Sequence, residues 1–407
     1  MEVFVARQPI FYRNGKVFAY ELLFRHNENN YYENSDADRA TVEVITNSFL
    51  TIGMKVLTGG KRGFINFTEN LLKKSAYSIL PKKFVVIELL ETVEPNSEVV
   101  ACCKKLKAAG YLLALDDFVF DPKYQPLIEL ADIIKIDFLA TPLAKKSAIF
   151  HQIPPNSKIR ILAEKVETYA DFEAALHMGY HYFQGYYFSK PAIFTGNTMP
   201  ANKAYHFQLL QKVYDETTSF EQLEVIFKND PALSFQLLKF INSSFFAFSN
   251  RITSLRQALA LLGFNELKKW TTLVSLQYLC QDKPNELMIT SIIRAKFAES
   301  IAFKITHDLQ SAAQAFLVGM FSLLDAFLDQ PMTDILNQLP LADNIKSVLL
   351  GGSDSLLSGV YQLITAYEQA DWDHCSHYCQ AINFPEHELP GLYAEALDSS
   401  SNLLFSP

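Results

Sequence analysis

Acidic side chains end a series of short apolar segments in the first 190 residues. Both faces of most segments are apolar, which is typical of strands buried in a parallel sheet. The carboxyl ends of such strands converge on one face of a (β/α)8 barrel, so these acids would surround one cavity. Buried carboxylates need a counter-charge, and a divalent cation is the usual one. The residues at these ends are Glu21, Asn66 (an amide), Glu88, Asp116, Asp117, Asp137 and Glu164.

The elements that would position these residues alternate along the chain. Asn14-Gly15 joins strand-like segments at residues 4–12 and 16–24, and this dipeptide is a strong hairpin signal because both residues accept positive φ. The first strand is therefore expected to run antiparallel to its neighbour. A last strand at residues 180–188 brings the total to eight, which is enough to close a barrel. The expected intervening helices are residues 40–56, 97–109 and 171–178.

The second half of the chain has a different pattern. Residues 192–202 are rich in Gly, Pro and Asn, which indicates a linker, and strand patterns stop beyond them. Apolar residues then recur at spacings of three and four, which indicates packed helices. We therefore expect an α/β fold, a TIM-like (β/α)8 barrel with its first strand antiparallel, followed by an all-α domain. The expected domains are residues 1–195 for the barrel, 196–400 for the helical domain and 401–407 for a tail.

Composition excludes several classes of function. The formal net charge is −8, whereas nonspecific binders of nucleic acid polymers or anionic membranes need a basic surface. No segment reaches the roughly 18 uncharged apolar residues of a membrane span, and the first residues lack the layout of a signal peptide. Five cysteines, an odd number, fit a reducing compartment better than a disulfide framework. A cytoplasmic protein is the expectation.

The acid-ended segments lie within motifs that follow one another in a characteristic order. They are Gln8-Pro9-Ile10, Tyr20-Glu21-Leu22-Leu23, Ile65-Asn66, Glu88-Leu89-Leu90-Glu91, Asp116-Asp117-Phe118, Lys135-Ile136-Asp137, Ala163-Glu164-Lys165-Val166-Glu167 and Gln184-Gly185. With these motifs, residues 1–191 resemble the EAL domain of cyclic-di-GMP phosphodiesterases. Leu22 stands where the naming motif has Ala, and Leu90 where the family has Thr.

The resemblance implies a metal site in the barrel. It would hold two ions of Mg²⁺ or Mn²⁺, because oxygen ligands suit these hard cations. Two neighbouring ions can lower the pKa of a bridging water and hold the phosphate that the water attacks. In active members of the family the product is linear pGpG. The implied metal ligands are Glu21, Asn66, Glu88, Asp116 and Asp117.

The resemblance also implies catalytic and substrate-binding residues. Glu164 would be a base or a further metal ligand, Lys135 would orient the attacking water, and Glu91 would steady the neighbouring loop. Among the substrate-binding residues, Arg25 would contact a phosphate oxygen and Gln184 a guanine edge or the pocket wall. The implied substrate-binding residues are Arg25, Gln184 and Glu167.

Two features depart from the family pattern. Val119-Phe120-Asp121-Pro122 stands where the family has a Gly-Thr/Ser-Gly loop that supports the metal ligands, and Lys165 replaces a glycine. These features resemble a divergent EAL subgroup fused to an HDOD domain, many of whose members are thought not to hydrolyse the dinucleotide. Active relatives commonly dimerise through the altered loop, so the resemblance leaves a homodimer open.

The helical half resembles an HDOD domain at residues 229–244 and 252–263. HDOD domains are similar to HD hydrolases without their metal-binding histidines, and the equivalent of the His-Asp pair falls at Ser322-Leu323. The resemblance therefore implies a regulatory domain that binds an unknown protein partner. His374, Cys375, His377 and Cys379 are zinc-ligand types but lack paired Cys-x2-Cys spacing, which favours an ordinary amphipathic helix.

Three functions stay open on this sequence. The first is a cyclic-di-GMP signalling protein whose barrel binds the dinucleotide and hydrolyses it by two-metal catalysis. The second is an inactive sensor or scaffold that acts through protein partners, and the altered loop at 119–122 favours it. The third is action on another phosphodiester, because metal chemistry alone does not select the base.

Overall fold

The computed structural model describes residues 4–24, 53–116, 121–142, 146, 149–150, 153, 157–185, 201–242, 252, 254–281, 283–352 and 355–405. Two predicted site residues, Arg25 and Asp117, lie outside these ranges, as do Val119 and Phe120 of the altered loop. Most of the helix expected at residues 40–56 also lies outside them.

Eight strands form a closed barrel in sequence order. The first two make an antiparallel hairpin, with Gly15 at a positive φ of 73°, and the first strand also pairs antiparallel with the last. The remaining neighbours are parallel, so the expected barrel with an antiparallel first strand is confirmed. The strands are β1 (Val5–Tyr12), β2 (Val17–Phe24), β3 (Arg62–Phe67), β4 (Val85–Leu89), β5 (Leu112–Leu115), β6 (Ile133–Asp137), β7 (Arg160–Glu164) and β8 (Tyr182–Phe183).

Short helices connect the parallel strands, and their ends follow local capping chemistry. The Asn96 side chain accepts a hydrogen bond from the Val99 amide at 2.9 Å, which begins the helix after β4. Thr168 and Asp171 form a capping box before the helix between β7 and β8, and Gly179, with φ of 98°, ends that helix. These helices are α1 (Met54–Thr58), α2 (Glu69–Lys73), α3 (Ser97–Ala108), α4 (Gln125–Ile128) and α5 (Tyr169–Met178).

Beyond residue 200 the described elements are helices, as the sequence predicts. None of the described helices combines the length and the apolar character needed to cross a membrane. They are α6 (Ala201–Tyr214), α7 (Phe220–Lys228), α8 (Pro231–Ile241), α9 (Leu255–Leu279, kinked at Gly263), α10 (Asn285–Thr306), α11 (Leu309–Phe321), α12 (Leu324–Leu328), α13 (Met332–Gln338), α14 (Asp343–Leu349), α15 (Leu356–Glu368), α16 (Trp372–Ala381) and α17 (Leu389–Phe405).

The chain divides into two compact units that are not continuous in sequence. The first unit combines Met1–Lys190 with Ile289–Met320 and Asp354–Pro407, and the second combines Pro191–Met288 with Phe321–Ser353. The domains expected from the sequence, with boundaries near residues 195 and 400, stay a prediction. In space, late helices belong with the barrel.

The hairpin explains why the barrel takes up late helices. A parallel crossover covers the outer face of a strand with its own helix, but a hairpin supplies none. In this chain α15 packs against β1, and α17 packs against α1. The ring of Phe4, just before β1, lies 6.4 Å from the ring of Tyr367 and 6.2 Å from that of Trp372. Late helices therefore supply the missing outer layer.

The helix with the zinc-type residues belongs to this layer. Cys375 and Cys379 of α16 are buried in the same apolar cluster as the outer face of the barrel. His374 pairs with Asp371, three residues earlier, at 2.7 Å. The cysteines therefore serve as core residues, in agreement with the amphipathic-helix interpretation.

The second unit has an apolar core of its own. The Asp230 side chain accepts hydrogen bonds from the Ala232 and Leu233 amides and so caps α8, where Pro231 holds the first position. Trp270 of α9 is buried in this core. The core residues include Leu209, Val213, Leu223, Phe227, Leu233, Leu237, Ile241, Leu267 and Trp270.

The packing of late helices on the hairpin leads to a first prediction. Tyr367→Ala should lower the free energy of unfolding by about 3–5 kcal/mol, because Tyr367 is fully buried against Phe4 and Trp372. Urea denaturation measures this loss. Amide hydrogen exchange should also accelerate in β1, which lies some 360 residues away in sequence.

The control is Leu309→Ala, since Leu309 is 76% exposed and its truncation should change stability by no more than about 0.5 kcal/mol. Faster exchange confined to α15 and α16, with β1 unaffected, would show that the late helices do not support the barrel.

Candidate active site

Eight polar side chains form one layer inside the barrel, and we call it the polar layer. Strand side chains alternate between faces, and each member lies two positions along its strand from a residue of the barrel interior. Glu21 follows Ala19 in this way, and Glu88 follows Val86. The interior apolar cluster contains Ile10, Ala19, Phe64, Val86, Ala114, Ile133 and Leu162, with Tyr182 packed against it. The polar layer consists of Gln8, Glu21, Asn66, Glu88, Asp116, Lys135, Glu164 and Gln184.

Strand register places the members of the layer side by side. Asn66 pairs with Glu88 across β3 and β4, and Gln8 pairs with Glu21 across the hairpin. The acids expected to converge from far-apart segments therefore do converge, at the carboxyl ends of the parallel strands. Gln8 is a member that sequence reasoning placed in a motif but not in the site.

The ammonium of Lys135 is the centre of the polar layer. Its Nζ lies 2.7 Å from Glu164 Oε1 and 2.9 Å from Asp116 Oδ1. It also contacts Glu88 Oε1, and Glu21 Oε2 lies 3.5 Å away. Lys135 is 1% exposed, so water does not screen these contacts. The counter-charge that the sequence analysis assigned to metal is therefore partly supplied by the chain itself.

One ammonium does not balance four carboxylates, and the acid pKa values reflect this. Burial raises the pKa of Glu88 well above its usual value, and the neighbouring acids add to the effect. Burial also raises the pKa of Glu164, to about 8. Burial opposes the charged form of Lys135, but the surrounding acids outweigh it and raise the pKa of Lys135. Without further cations, the layer retains protons on its acids at neutral pH.

Among the residues that the structure describes, four oxygen atoms of the layer are buried without a hydrogen-bond donor. They are Oε2 of Glu88, Oε2 of Glu164, Oδ1 of Asn66 and Oε1 of Gln184. Within the described ranges, no three acidic, histidine or cysteine side chains are arranged as a formed metal site, since the acids turn toward Lys135. The unpartnered atoms are nevertheless hard oxygen donors next to excess negative charge. This donor set fits a divalent cation.

Gln184 links the last strand to the first two. Its Nε2 donates to Glu21 Oε2 at 2.6 Å and to Gln8 Oε1 at 3.2 Å, while its Oε1 is buried without a partner. The next residue, Gly185, has φ of 144°, and a Cβ there would lie 2.4 Å from the backbone nitrogen of Val166. Glycine thus lets the ends of β7 and β8 approach, which holds Gln184 in the layer.

The remaining predicted residues lie around the layer. Glu91 is exposed in the turn after β4, and Glu167 is half-buried just before the cap of α5. Lys165, which sequence comparison flagged as a departure, has a positive φ of 52° and places its Nζ 2.6 Å from Asp137 Oδ2. Asp137 lies two residues after Lys135, so this ion pair borders the layer. Asp137 shares the strand face of Lys135, because side chains alternate along β6, and it is one of the acids that the sequence pattern places around the cavity.

Two domain profiles and two relatives match this chain. The EAL domain profile matches residues 48–191, and the HDOD domain profile matches residues 199–328. The uncharacterized protein YuxH of Bacillus subtilis is 38% identical over 99% of this chain and 99% of its own length. The cyclic di-GMP phosphodiesterase CdgJ of Vibrio cholerae is 37% identical over 94% of this chain and 88% of its own length. This chain belongs to the EAL–HDOD family.

Solved EAL structures are similar to the EAL–HDOD protein over about half of its length. The EAL enzyme Bd1971, bound to cAMP and cyclic-di-GMP, has a TM-score of 0.38 and 19% identity over 47% of this chain. The chain covers 62% of that structure, which is less than two thirds. The EAL domain of Mycobacterium smegmatis DcpA has a TM-score of 0.37 and 21% identity, over 45% of this chain and 90% of its own.

The central role of Lys135 leads to a second prediction. Lys135→Met should lower the free energy of unfolding of the metal-free EAL–HDOD protein by about 3–5 kcal/mol, because it leaves buried carboxylates without their cation. Added Mn²⁺ should then raise the melting temperature more in this variant than in the wild type, since the layer gains negative charge.

Lys228→Met provides the control, because Lys228 forms only an exposed ion pair with Glu224 that contributes at most about 1 kcal/mol. Equal stabilisation of Lys135→Met and wild type by Mn²⁺ would show that Lys135 and the cation do not share the layer.

The raised pKa of Glu164 leads to a third prediction. Its pKa is about 8 in the folded chain against an ordinary value of 4.5, so the folded state holds the extra proton between these pH values. Stability of the chelator-treated protein should therefore fall as pH rises from about 5 to 8, by up to about 1.4 kcal/mol per pH unit for this group. Glu164→Gln should make the fall shallower, as measured by urea denaturation at several pH values.

Glu88 also contributes to this slope, so part of it should persist in Glu164→Gln. Glu129→Gln is the matched control, since Glu129 is exposed outside the barrel. An identical pH dependence in wild type and Glu164→Gln contradicts the assignment.

Proposed function

We propose that the EAL–HDOD protein is a cyclic-di-GMP signalling protein that hydrolyses the dinucleotide to pGpG. The observation that carries this proposal is the polar layer, in which buried oxygen atoms without partners surround one buried lysine. Such an arrangement has no evident structural benefit, because unsatisfied buried oxygens cost free energy. The naming of the relative CdgJ as a cyclic di-GMP phosphodiesterase supports the same reaction.

The polar layer supplies the residues that would hold divalent cations. Glu21, Asn66, Glu88 and Asp116 would bind one ion of Mg²⁺ or Mn²⁺, and Asp116 would share a second with Asp117. The described members come from four successive strands, β2 to β5, so they approach a common point from one side of the barrel. Bound there, such cations would lower the pKa of a water and offset charge on the phosphate.

Lys135 and Glu164 would act on the attacking water. The ammonium of Lys135 has three donors, and these face Glu88, Asp116 and Glu164. Once cations bind the acids, one of these donors would be released and could orient the water. Glu164 has an oxygen, Oε2, that is buried and without a donor. Cations bound beside Glu164 would lower its pKa, and the deprotonated carboxylate could then accept a proton from that water.

The residues around the layer would bind the rest of the dinucleotide. Gln184 is fixed through its Nε2, which leaves Oε1 to accept an N–H group from a guanine edge. Arg25 would contact a phosphate oxygen, Glu167 would contact the substrate, and Glu91 would support the loop that follows β4. Because the substrate is an anion and the layer is acidic, binding itself should require the cations.

The decisive experiment is turnover of cyclic-di-GMP by the purified protein with Mn²⁺ or Mg²⁺. We expect pGpG, separated by liquid chromatography, and no product after addition of EDTA. Asp116→Asn should be slower by about 10- to 100-fold or more, because it removes a metal ligand that also contacts Lys135. Glu129→Gln, an exposed carboxylate outside the barrel, should match the wild type.

Absence of pGpG in the wild type would refute hydrolysis. Isothermal titration with cyclic-di-GMP then distinguishes an inactive sensor from a scaffold. Heat on adding the dinucleotide would indicate an inactive sensor, which the gathering of the acids onto Lys135 favours. No heat would indicate a scaffold whose barrel only supports the helical half. Turnover of other cyclic dinucleotides, but not of cyclic-di-GMP, would reassign the base specificity.

The HDOD half is proposed to transmit the signal to a protein partner. By the resemblance to HD hydrolases, Ser322 and Leu323 would stand where those enzymes bind metal, and Leu323 is buried. Several large apolar side chains on α7, α8 and α9 are exposed, with Phe235 68% exposed. Exposed apolar residues of this size are typical of contact surfaces.

A further inference from the structure

The amino-terminal end of the barrel carries a second set of residues, which we call the basic mouth. Its members lie at the ends of their strands opposite to the polar layer. Arg62 opens β3 and pairs with Ala19, while Arg160 opens β7 and pairs with Ile133. Ala19 and Ile133 belong to the interior cluster, so the two arginines share its face. The basic mouth consists of Tyr12, Phe18, Arg62, Arg160 and Tyr182.

Three aromatic rings lie together in the basic mouth. The rings of Phe18 and Tyr182 are stacked, with centroids 4.1 Å apart and planes within 7°. The ring of Tyr12 lies 5.2 Å from Phe18 and 5.7 Å from Tyr182. Tyr12 is 42% exposed, so this aromatic cluster presents a ring to solvent.

The two arginines are not neutralised. Over the described ranges, neither Arg62 nor Arg160 forms an ion pair, although the chain as a whole has a net charge of −8. The Nε of Arg62 is buried and has no hydrogen-bond acceptor in the part of the chain that the structure describes. A buried donor without an acceptor costs roughly 1–3 kcal/mol, so an acceptor from outside would stabilise this arrangement.

Strand register brings both arginines near the aromatic cluster, because Arg62 pairs with the neighbour of Phe18 and Arg160 lies two positions before the partner of Tyr182. Burial raises the pKa of Tyr182, and the charges of Arg160 and Arg62 oppose that rise. Arg160, together with Arg13, also acts on His181, whose pKa burial lowers to about 4. Positive charge is therefore concentrated at this end, whereas acids are concentrated in the polar layer at the other.

We infer that the basic mouth binds a nucleotide, with Arg62 and Arg160 on its phosphate and Tyr12 against its base. The planar guanidinium fork matches phosphate oxygens, and aromatic rings stack on any base. The polar layer binds an anionic ligand only with help from cations, but the basic mouth needs none. The two sites lie at opposite ends of the barrel and use no common side chain.

The experiment is isothermal titration of the full-length protein with GMP at low ionic strength and in EDTA, which keeps the polar layer free of metal. We expect binding, and a loss of at least about tenfold in affinity for Arg160→Gln and for Arg62→Gln. Arg160→Lys should recover only part of the affinity, because lysine lacks the fork. Tyr12→Leu should weaken GMP binding but leave the binding of inorganic phosphate unchanged.

Arg256→Gln, in the helical half, is the matched control and should bind GMP as the wild type does. Arg160 is exposed, so Arg160→Gln keeps the test valid even if Arg62→Gln fails to fold. No heat with GMP, or equal affinity in Arg160→Gln and wild type, overturns the inference. A third outcome would be that a glutamate decapeptide binds as tightly as GMP and that Tyr12→Leu changes the affinity for neither. That result overturns the nucleotide assignment in favour of an acidic protein partner.

Discussion

The buried ammonium of Lys135 is the contact on which the polar layer depends. Four carboxylates from β2, β4, β5 and β7 would repel one another in a site that excludes water, and a single cation between them makes their burial tolerable. The compensation is incomplete, which leaves the layer with protons to release and with oxygen atoms free to bind cations. The excess of buried carboxylates over the single ammonium therefore both destabilises the layer and allows it to bind cations.

Much of this arrangement could be predicted from the sequence, because the signals are local. Apolar segments that end on acids indicate both the strands and the face on which their ends meet, and Asn14-Gly15 marks the hairpin. The position of Lys135 at the centre could not be predicted, because strand position alone does not show which neighbours a long side chain reaches. Gln8 was not predicted as a site residue for a different reason. Because β1 is antiparallel to β2, the polar residue of β1 precedes the apolar interior residue Ile10 instead of following it.

The composition of the compact units could not be predicted either. The spacing of apolar residues shows that α15 and α16 are amphipathic, but it does not identify the surface that these helices cover. That surface is the outside of the hairpin, where Phe4 contacts Tyr367 and Trp372. The two ends of the barrel also differ in a way that motifs do not report, since the acids gather at one mouth and unpaired arginines at the other.

The cover that α15 and α16 provide for the hairpin affects the order in which the chain can fold during synthesis. The hairpin is synthesised well before the helices that cover it, because Tyr367 follows the end of β2 by about 340 residues. At typical elongation rates the interval is roughly 20 to 70 seconds. During that interval the outer side of the hairpin is uncovered, so the final packing of the barrel has to wait for helices that are synthesised much later.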